Sequence, residues 1–236
     1  MTIDVSRAFG AQDQRERIDQ RVVDAASREF LQQALRADLA AMSAQVRAGY
    51  DINTAGPDGV TPAMAYVSYV RPVRADVLAR MIELGADITR PMANNMSLLN
   101  GLARAEDPGV LKALLAAGVS PDIRLPAIQE TFLSVAIQEN NTALALGLLQ
   151  AGADPGLAGG PGRTPMQAAA GLGNWVVAEA LIRAGADPRQ GDPDLSRLAH
   201  ALATRPPAAG TAQGVAHAAV VDWLGKQGPA AGPPAS

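Results

Sequence analysis

An all-helical solenoid built from repeated helix-turn-helix units is the fold this sequence predicts, and three observations predict it. The phrase Gly-Ala-Asp or a close variant recurs as Gly49-Tyr50-Asp51, Gly85-Ala86-Asp87, Gly118-Val119-Ser120, Gly152-Ala153-Asp154 and Gly185-Ala186-Asp187, and successive glycines stand 36, 33, 34 and 33 residues apart. A Thr or Ser precedes each of the last three glycines by 21 residues, at Ser97, Thr131 and Thr164. Between these markers lie two short apolar-periodic stretches, such as Met166–Ala170 and Val176–Ile182, and each reads as a helix. A period of this length marks a stacked array in which every unit buries its apolar faces against its neighbours.

The elements follow in order along a unit. Thr164-Pro165 starts a first helix, because a Thr side chain caps free N–H groups and Pro in the first turn loses no useful donor; Thr61-Pro62 repeats the signal. Gly173 falls between the two helices of its unit, where a left-handed backbone is cheap, and Asn140 takes the equivalent place one unit earlier. The glycine of each recurring phrase ends the second helix in the same way. Leu181 and Ile182, in the second helix of the last clear unit, are expected to be fully buried. Thr61 to Gly85 spans 24 residues rather than 21, which places about three extra residues near Tyr69 to Arg74. A wider insertion, rich in Pro and Ala, covers Thr204 to Gln213. No convincing strand is expected anywhere.

The run Gly162-Arg163-Thr164-Pro165-Met166-Gln167-Ala168-Ala169-Ala170, followed by Gly173-Asn174 and Leu181-Ile182-Arg183-Ala184-Gly185-Ala186-Asp187, resembles the ankyrin repeat family over nearly the full length of its motif. The resemblance is specific in that unit and looser elsewhere. It implies an all-α ankyrin repeat solenoid over 23–228, with about four central repeats and degenerate caps at Phe30–Asn53 and Leu195–Gly228. Residues 1–22 form a polar, charge-balanced segment, and 229–236 a Pro/Ala tail, both expected to be poorly ordered. The family's usual first-helix His is replaced in turn by Met64, Asn100, Ser134 and Gln167, which puts in doubt the hydrogen bonds that His lends between neighbouring repeats.

Composition narrows the function. The 236 residues are 48% hydrophobic, enough for a substantial core, and carry a net charge of −3, which leaves no basic surplus for general nucleic-acid binding. The absence of cysteine excludes disulfides and thiolate chemistry. Met1–Gly10 lacks the basic and apolar runs of a secretory signal, and no stretch approaches a membrane span, so a cytoplasmic protein is the expectation. Eighteen of the 20 basic residues are Arg, which together with abundant Ala, Gly and Pro points to GC-rich coding and a bacterial source.

Chemistry is sparse. His200 and His217 lie 17 residues apart without the close helical spacing of a metal pair, and Gly156–Gly162 follows no strand that would make it a phosphate cradle. Ser97, Thr131 and Thr164 stand in register as helix starters rather than nucleophiles. No catalytic, cofactor-binding or metal-ligating residue is assigned, and no enzyme is expected. The resemblance instead implies another protein as partner, bound on a concave side by finger loops and first helices. By register, Tyr69, Arg71, Met96, Arg104, Glu130, Gln138, Glu139, Arg163 and Leu172 fall on finger tips or the outer ends of first helices, and these are the expected partner-binding residues. Tyr66, Trp175 and Trp223 are assigned to the core.

Arg71, Arg74 and Arg104 predict a basic edge on the second and third repeats, and Glu130 and Glu139 an acidic fourth. The 69–74 insertion, with Tyr69, Arg71 and Pro72, is expected to project toward the binding face. Small ankyrin-like proteins of this composition imply a cognate partner that is neutralised or chaperoned, such as a toxin or secreted effector. The alternative is a general cytoplasmic adaptor.

Overall fold

All the helix pairs but the last form where a capped start, an apolar face and a glycine stop coincide. The computed structural model describes residues 24–56, 59–70, 72–92, 95–105, 107–160 and 162–226. The terminal segments 1–22 and 229–236, and Arg71, lie outside the described residues. The rest falls into two compact halves, one reaching Ser120 and including Leu125–Ala127, the other comprising Pro121–Arg124 and the chain from Ile128.

The first half holds three helix pairs: α1 (Ala25–Arg36) with α2 (Leu39–Arg47), α3 (Pro62–Tyr69) with α4 (Ala75–Glu83), and α5 (Leu98–Arg104) with α6 (Pro108–Ala116). First helices stack on first helices, α1 on α3 and α3 on α5, while α4 stacks on α6. Phe30, Tyr66, Leu78, Met81, Leu99 and Leu102 fill the space between them. Each such side chain removed from water contributes about 1.5–3 kcal/mol.

In the second half the pairs are α7 (Phe132–Gln138) with α8 (Thr142–Gln150), α9 (Pro165–Leu172) with α10 (Trp175–Arg183), and α11 (Ser196–Thr204) with α12 (Ala212–Lys226). Here too α7 packs on α9, α9 on α11, α8 on α10 and α10 on α12. Phe132, Leu148, Trp175, Leu181 and Val220 are buried among them. Contrary to the sequence expectation of no strand, two-residue strands β1 (Arg124–Leu125) and β2 (Glu130–Thr131) pair in one finger loop. So short a ladder leaves no periodicity to detect.

The helix starts follow the predicted chemistry. The Thr61, Thr131 and Thr164 hydroxyls accept from the N–H groups of Met64, Ser134 and Gln167 at 3.4, 3.0 and 3.2 Å. Gln167 Oε1 accepts in return from Thr164 N at 3.1 Å, and Asn100 Oδ1 from Ser97 N at 2.8 Å. Two of the four residues that replace the family's His therefore close local capping boxes, each satisfying a helix-end donor. Bonds between repeats come from other positions. Asn53 donates to Gly85 O and accepts from Asp87 N at 2.9 and 2.8 Å, and Asp122 accepts from Asp154 N at 2.7 Å.

The repeat-ending glycines Gly49, Gly85, Gly118, Gly152 and Gly185 all have positive φ, between 75° and 100°, as their register requires. Ile182, expected to be buried with Leu181, is half-exposed, because Leu181 turns into the core and its neighbour one step on faces partly outward. Trp175 and Tyr66 lie in the core, whereas Trp223 is only half-buried.

Candidate functional site

Two grooves lie on the first-helix faces, one in each half. In the first half a groove of about 540 Å³ runs between α3 and α5 and is closed at one end by the finger segment bearing Met92 and Met96. Met64, Val67 and Leu98 are buried and form its floor; Ser68 and Arg104 are exposed at its edge. Methionine suits such a lining, since its unbranched thioether adapts to differently shaped apolar groups.

In the second half a larger groove of about 820 Å³ runs between α9 and α11. Its floor is apolar, from Met166, Ala170, Leu198 and Ala201, all buried. Its rim carries Arg163, Arg197, His200 and Arg205, all exposed. The acidic group in its lining, Asp192, is buried and turned to structural use: Oδ2 accepts from Arg197 N and Leu198 N, both at 3.1 Å, at the start of α11. Neighbouring Asp194 is held below the ordinary carboxylate range, chiefly by the Ser196 N–H it accepts.

The anchorage of these arginines is structural rather than ionic. Arg163 Nη2 donates to Gln167 O at 3.3 Å and Arg197 Nη1 to Gly191 O at 3.2 Å. Arg205 is fixed through its backbone, whose carbonyl accepts from Trp175 Nε1 at 3.1 Å. Its stem passes beside Gly173, where a Cβ would meet Arg205 Cδ at 3.7 Å. Among the described residues none of the three guanidiniums lies in an ion pair.

Of the residues singled out from the sequence, Met96 and Arg104 meet in the first groove and Arg163 lines the second. Arg104, Gln138 and Leu172 are the last residues of α5, α7 and α9, Leu172 standing one position further along its repeat; all three are exposed, Leu172 at 46%. Glu139, one step beyond Gln138, is half-buried. Gln138, Glu139 and Leu172 line neither groove.

Glu130 departs from expectation. It is buried, at 9% exposure, with its carboxylate packed where a Cβ on Gly159 would collide with it. It therefore wedges against the next finger loop instead of supplying an acidic edge. The basic edge is corrected too, because Arg74 is bidentate to Asp76, at 3.1 and 2.7 Å, and that bond holds the Asp76 carboxyl below its ordinary range.

The 69–74 insertion also differs. Tyr69 ends α3 and is half-buried, and the turn leaves the end of α3 opposite to its Thr61 start and the preceding finger loop. Val73 is buried in that turn, with its N–H donated to Asp107 Oδ2 at 2.9 Å. At Val73 the described part of the segment packs on the following repeat rather than standing beside the finger tips.

Sequence reasoning missed Arg197, His200 and Arg205 as groove residues, because the degenerate last repeat lacks the motif that sets register. Their separations of three, five and eight residues along one helix and its C-terminal cap were the available signal. Among the described residues no cluster of three or more His, Asp or Glu side chains is placed to hold a metal ion, and no helix is long and apolar enough to cross a membrane.

Residues 161–193 match the family model for the ankyrin repeat. Among solved structures, the chain is similar to the crystal structure of the ankyrin repeat domain of Bcl-3, described as a unique member of the IkappaB protein family. The TM-score is 0.62 and the identity 18%, over 85% of this chain and 86% of that one. No curated protein matches the chain. The fold is the all-α ankyrin-repeat fold.

Proposed function

We propose that this ankyrin-repeat protein is a non-catalytic protein-binding module that acts in the cytoplasm and grips its partner through the two first-helix grooves. The observation that carries this reading is the pair of grooves themselves, each with a buried apolar floor and an exposed polar rim. That arrangement is the usual composition of an interface, an apolar centre with a polar edge. Repeat folds supply such surfaces because neighbouring units align their first helices and loops.

The grooves differ in chemistry, one lined by methionine and the other rimmed by arginine. A partner must match both, which favours one dedicated protein over many weak ones. The finer reading is an immunity-like or chaperone-like role, in which a cognate toxin or effector is bound and neutralised. The general adaptor is the alternative.

Titration calorimetry against the product of a neighbouring gene tests the proposal. The expected result is a Kd below about 1 μM, with loss of the partner's activity on binding. Met96→Ala combined with Arg104→Ala is expected to weaken binding at least about tenfold without lowering the melting temperature. Unchanged affinity in that variant refutes the role of the first groove. Tight binding that leaves the partner fully active favours the adaptor.

A further inference from the structure

We infer that the groove between α9 and α11 receives an extended acidic segment of the partner, with two carboxylates four residues apart and an apolar side chain midway between them. This rests on the protein-binding reading and assigns the chemistry of one contact.

The argument begins with charge. The whole chain is acidic, at −3, yet this groove gathers Arg163, Arg197 and Arg205 with His200 around a single carboxylate. That carboxylate, Asp192, is buried, bonded to helix N–H groups and ion-paired with none of the three arginines, which outnumber it. None of the three guanidiniums is ion-paired to a described residue: Arg163 and Arg197 each give one N–H to a backbone carbonyl and keep their other donors for whatever enters, as Arg205 does. A guanidinium fork matches a carboxylate through two parallel hydrogen bonds.

Geometry gives the spacing. Arg197, Ala201 and Arg205 follow one another at four-residue steps along α11 and its C-terminal cap, hence on one face. Eight residues at a rise of about 1.5 Å separate Arg197 from Arg205 by about 12 Å. An extended peptide advances about 3.3 Å per residue, so residues four apart stand about 13 Å from each other on the same side, with the residue between them facing the same way. That middle side chain meets Ala201, Ala170 and Met166 on the apolar floor.

Nucleic acid fits less well. None of the groove-lining residues is Phe, Tyr or Trp, so a run of bases would find no series of aromatic platforms beyond the single His200 ring. The groove is also much longer than one inorganic anion needs, and its guanidiniums are spread along a helix instead of converging on a point.

Fluorescence anisotropy with the full chain and a labelled peptide, Gly-Ser-Glu-Ser-Leu-Ser-Glu-Ser-Gly, tests the inference. The expected result is binding at least about tenfold tighter than that of the same peptide with Gln for both Glu, and weaker binding when the second Glu is moved by one position. Arg197→Ala and Arg205→Ala are each expected to lose at least about threefold. The double reversal Arg197→Glu with Arg205→Glu is expected to switch preference to a Lys-for-Glu peptide, a gain that misfolding cannot mimic. Equal affinity for the Glu and Gln peptides overturns the inference, as does tighter binding of a labelled single-stranded oligonucleotide or full competition by equimolar inorganic phosphate. If the partner protein binds both Arg→Ala variants with unchanged affinity, the acidic-segment inference fails while protein binding stands.

Discussion

The turn at Gly173-Asn174 and the turn at Val70–Arg74 reverse the chain between the helices of a repeat by opposite means. At the first, Gly173 is left-handed, with φ 71°, and Asn174 caps α10 through an oxygen that accepts from Val177 N at 3.3 Å. The same amide donates to Asn140 Oδ1 and Thr142 Oγ1, at 3.1 and 2.8 Å, one repeat earlier. Ala37-Asp38 and Asn140-Asn141 use the same two-residue device, a left-handed residue followed by a capping Asp or Asn.

At the second turn Val70 is extended and the Arg74 side chain makes no capping bond to α4. Instead the next repeat supplies the acceptor, through Asp107 to Val73 N, and Tyr66 bonds the Arg74 backbone from beneath. A tight turn carries its own cap, whereas an open one borrows from its neighbour.

The largest expected effect lies at the tight turn. Trp175 follows it directly, is fully buried and donates to Arg205 O. Trp175→Ala is expected to cost about 3–5 kcal/mol in denaturant unfolding, from lost transfer energy and the cavity left behind. A loss below about 1 kcal/mol would mean that the ring is not the wedge the structure makes it.

The open turn is expected to fail more gently. Asp107→Ala removes both the cap to Gly109 N and the tie to Val73 N, at 2.8 and 2.9 Å, and should cost about 1–2 kcal/mol. Faster hydrogen exchange at the Val73 amide should accompany it. An unchanged exchange rate there would show that the turn holds itself.

The smallest effect appears only in alkali. Burial pushes the Tyr50 phenol up to about 12 from an ordinary value of 10, with the Ser27 bond opposing and the Asp24 and Asp51 charges adding. Tyr66, under the open turn, is raised as well, first by burial. Between about pH 10 and 12 the unfolded chain gives up the Tyr50 proton while the folded chain keeps it. The stabilisation is thus complete below pH 10 and lost as pH rises toward 12. Tyr50→Phe should flatten the fall of the denaturant midpoint over that range. A slope identical to that of the unaltered chain would mean that the phenol titrates as if solvated.

Much of this molecule was determined by its sequence alone, because the decisive interactions are local. A Thr three residues before a helix donor, a glycine after the last helical turn and an Asn in a left-handed turn each act within a few residues of themselves. Repetition at a near-constant period then makes them legible even where single repeats drift. Thr164, Gly185 and Asn140 behave in the structure as their positions in the repeat required.

Only the tertiary structure decided where the remaining residues point. Glu130 and Met96 hold the same register before a helix start, yet Glu130 is wedged against a neighbouring finger loop while Met96 lines a groove. The open turn at Val70–Arg74 was legible as an insertion, but its tie to Asp107 comes from 34 residues away. Arg197 and Arg205 became neighbours of Arg163 only when α9 and α11 packed together. Side chains separated by a whole repeat meet through stacking, and stacking is set by the burial of many apolar groups together, which no single stretch of sequence contains.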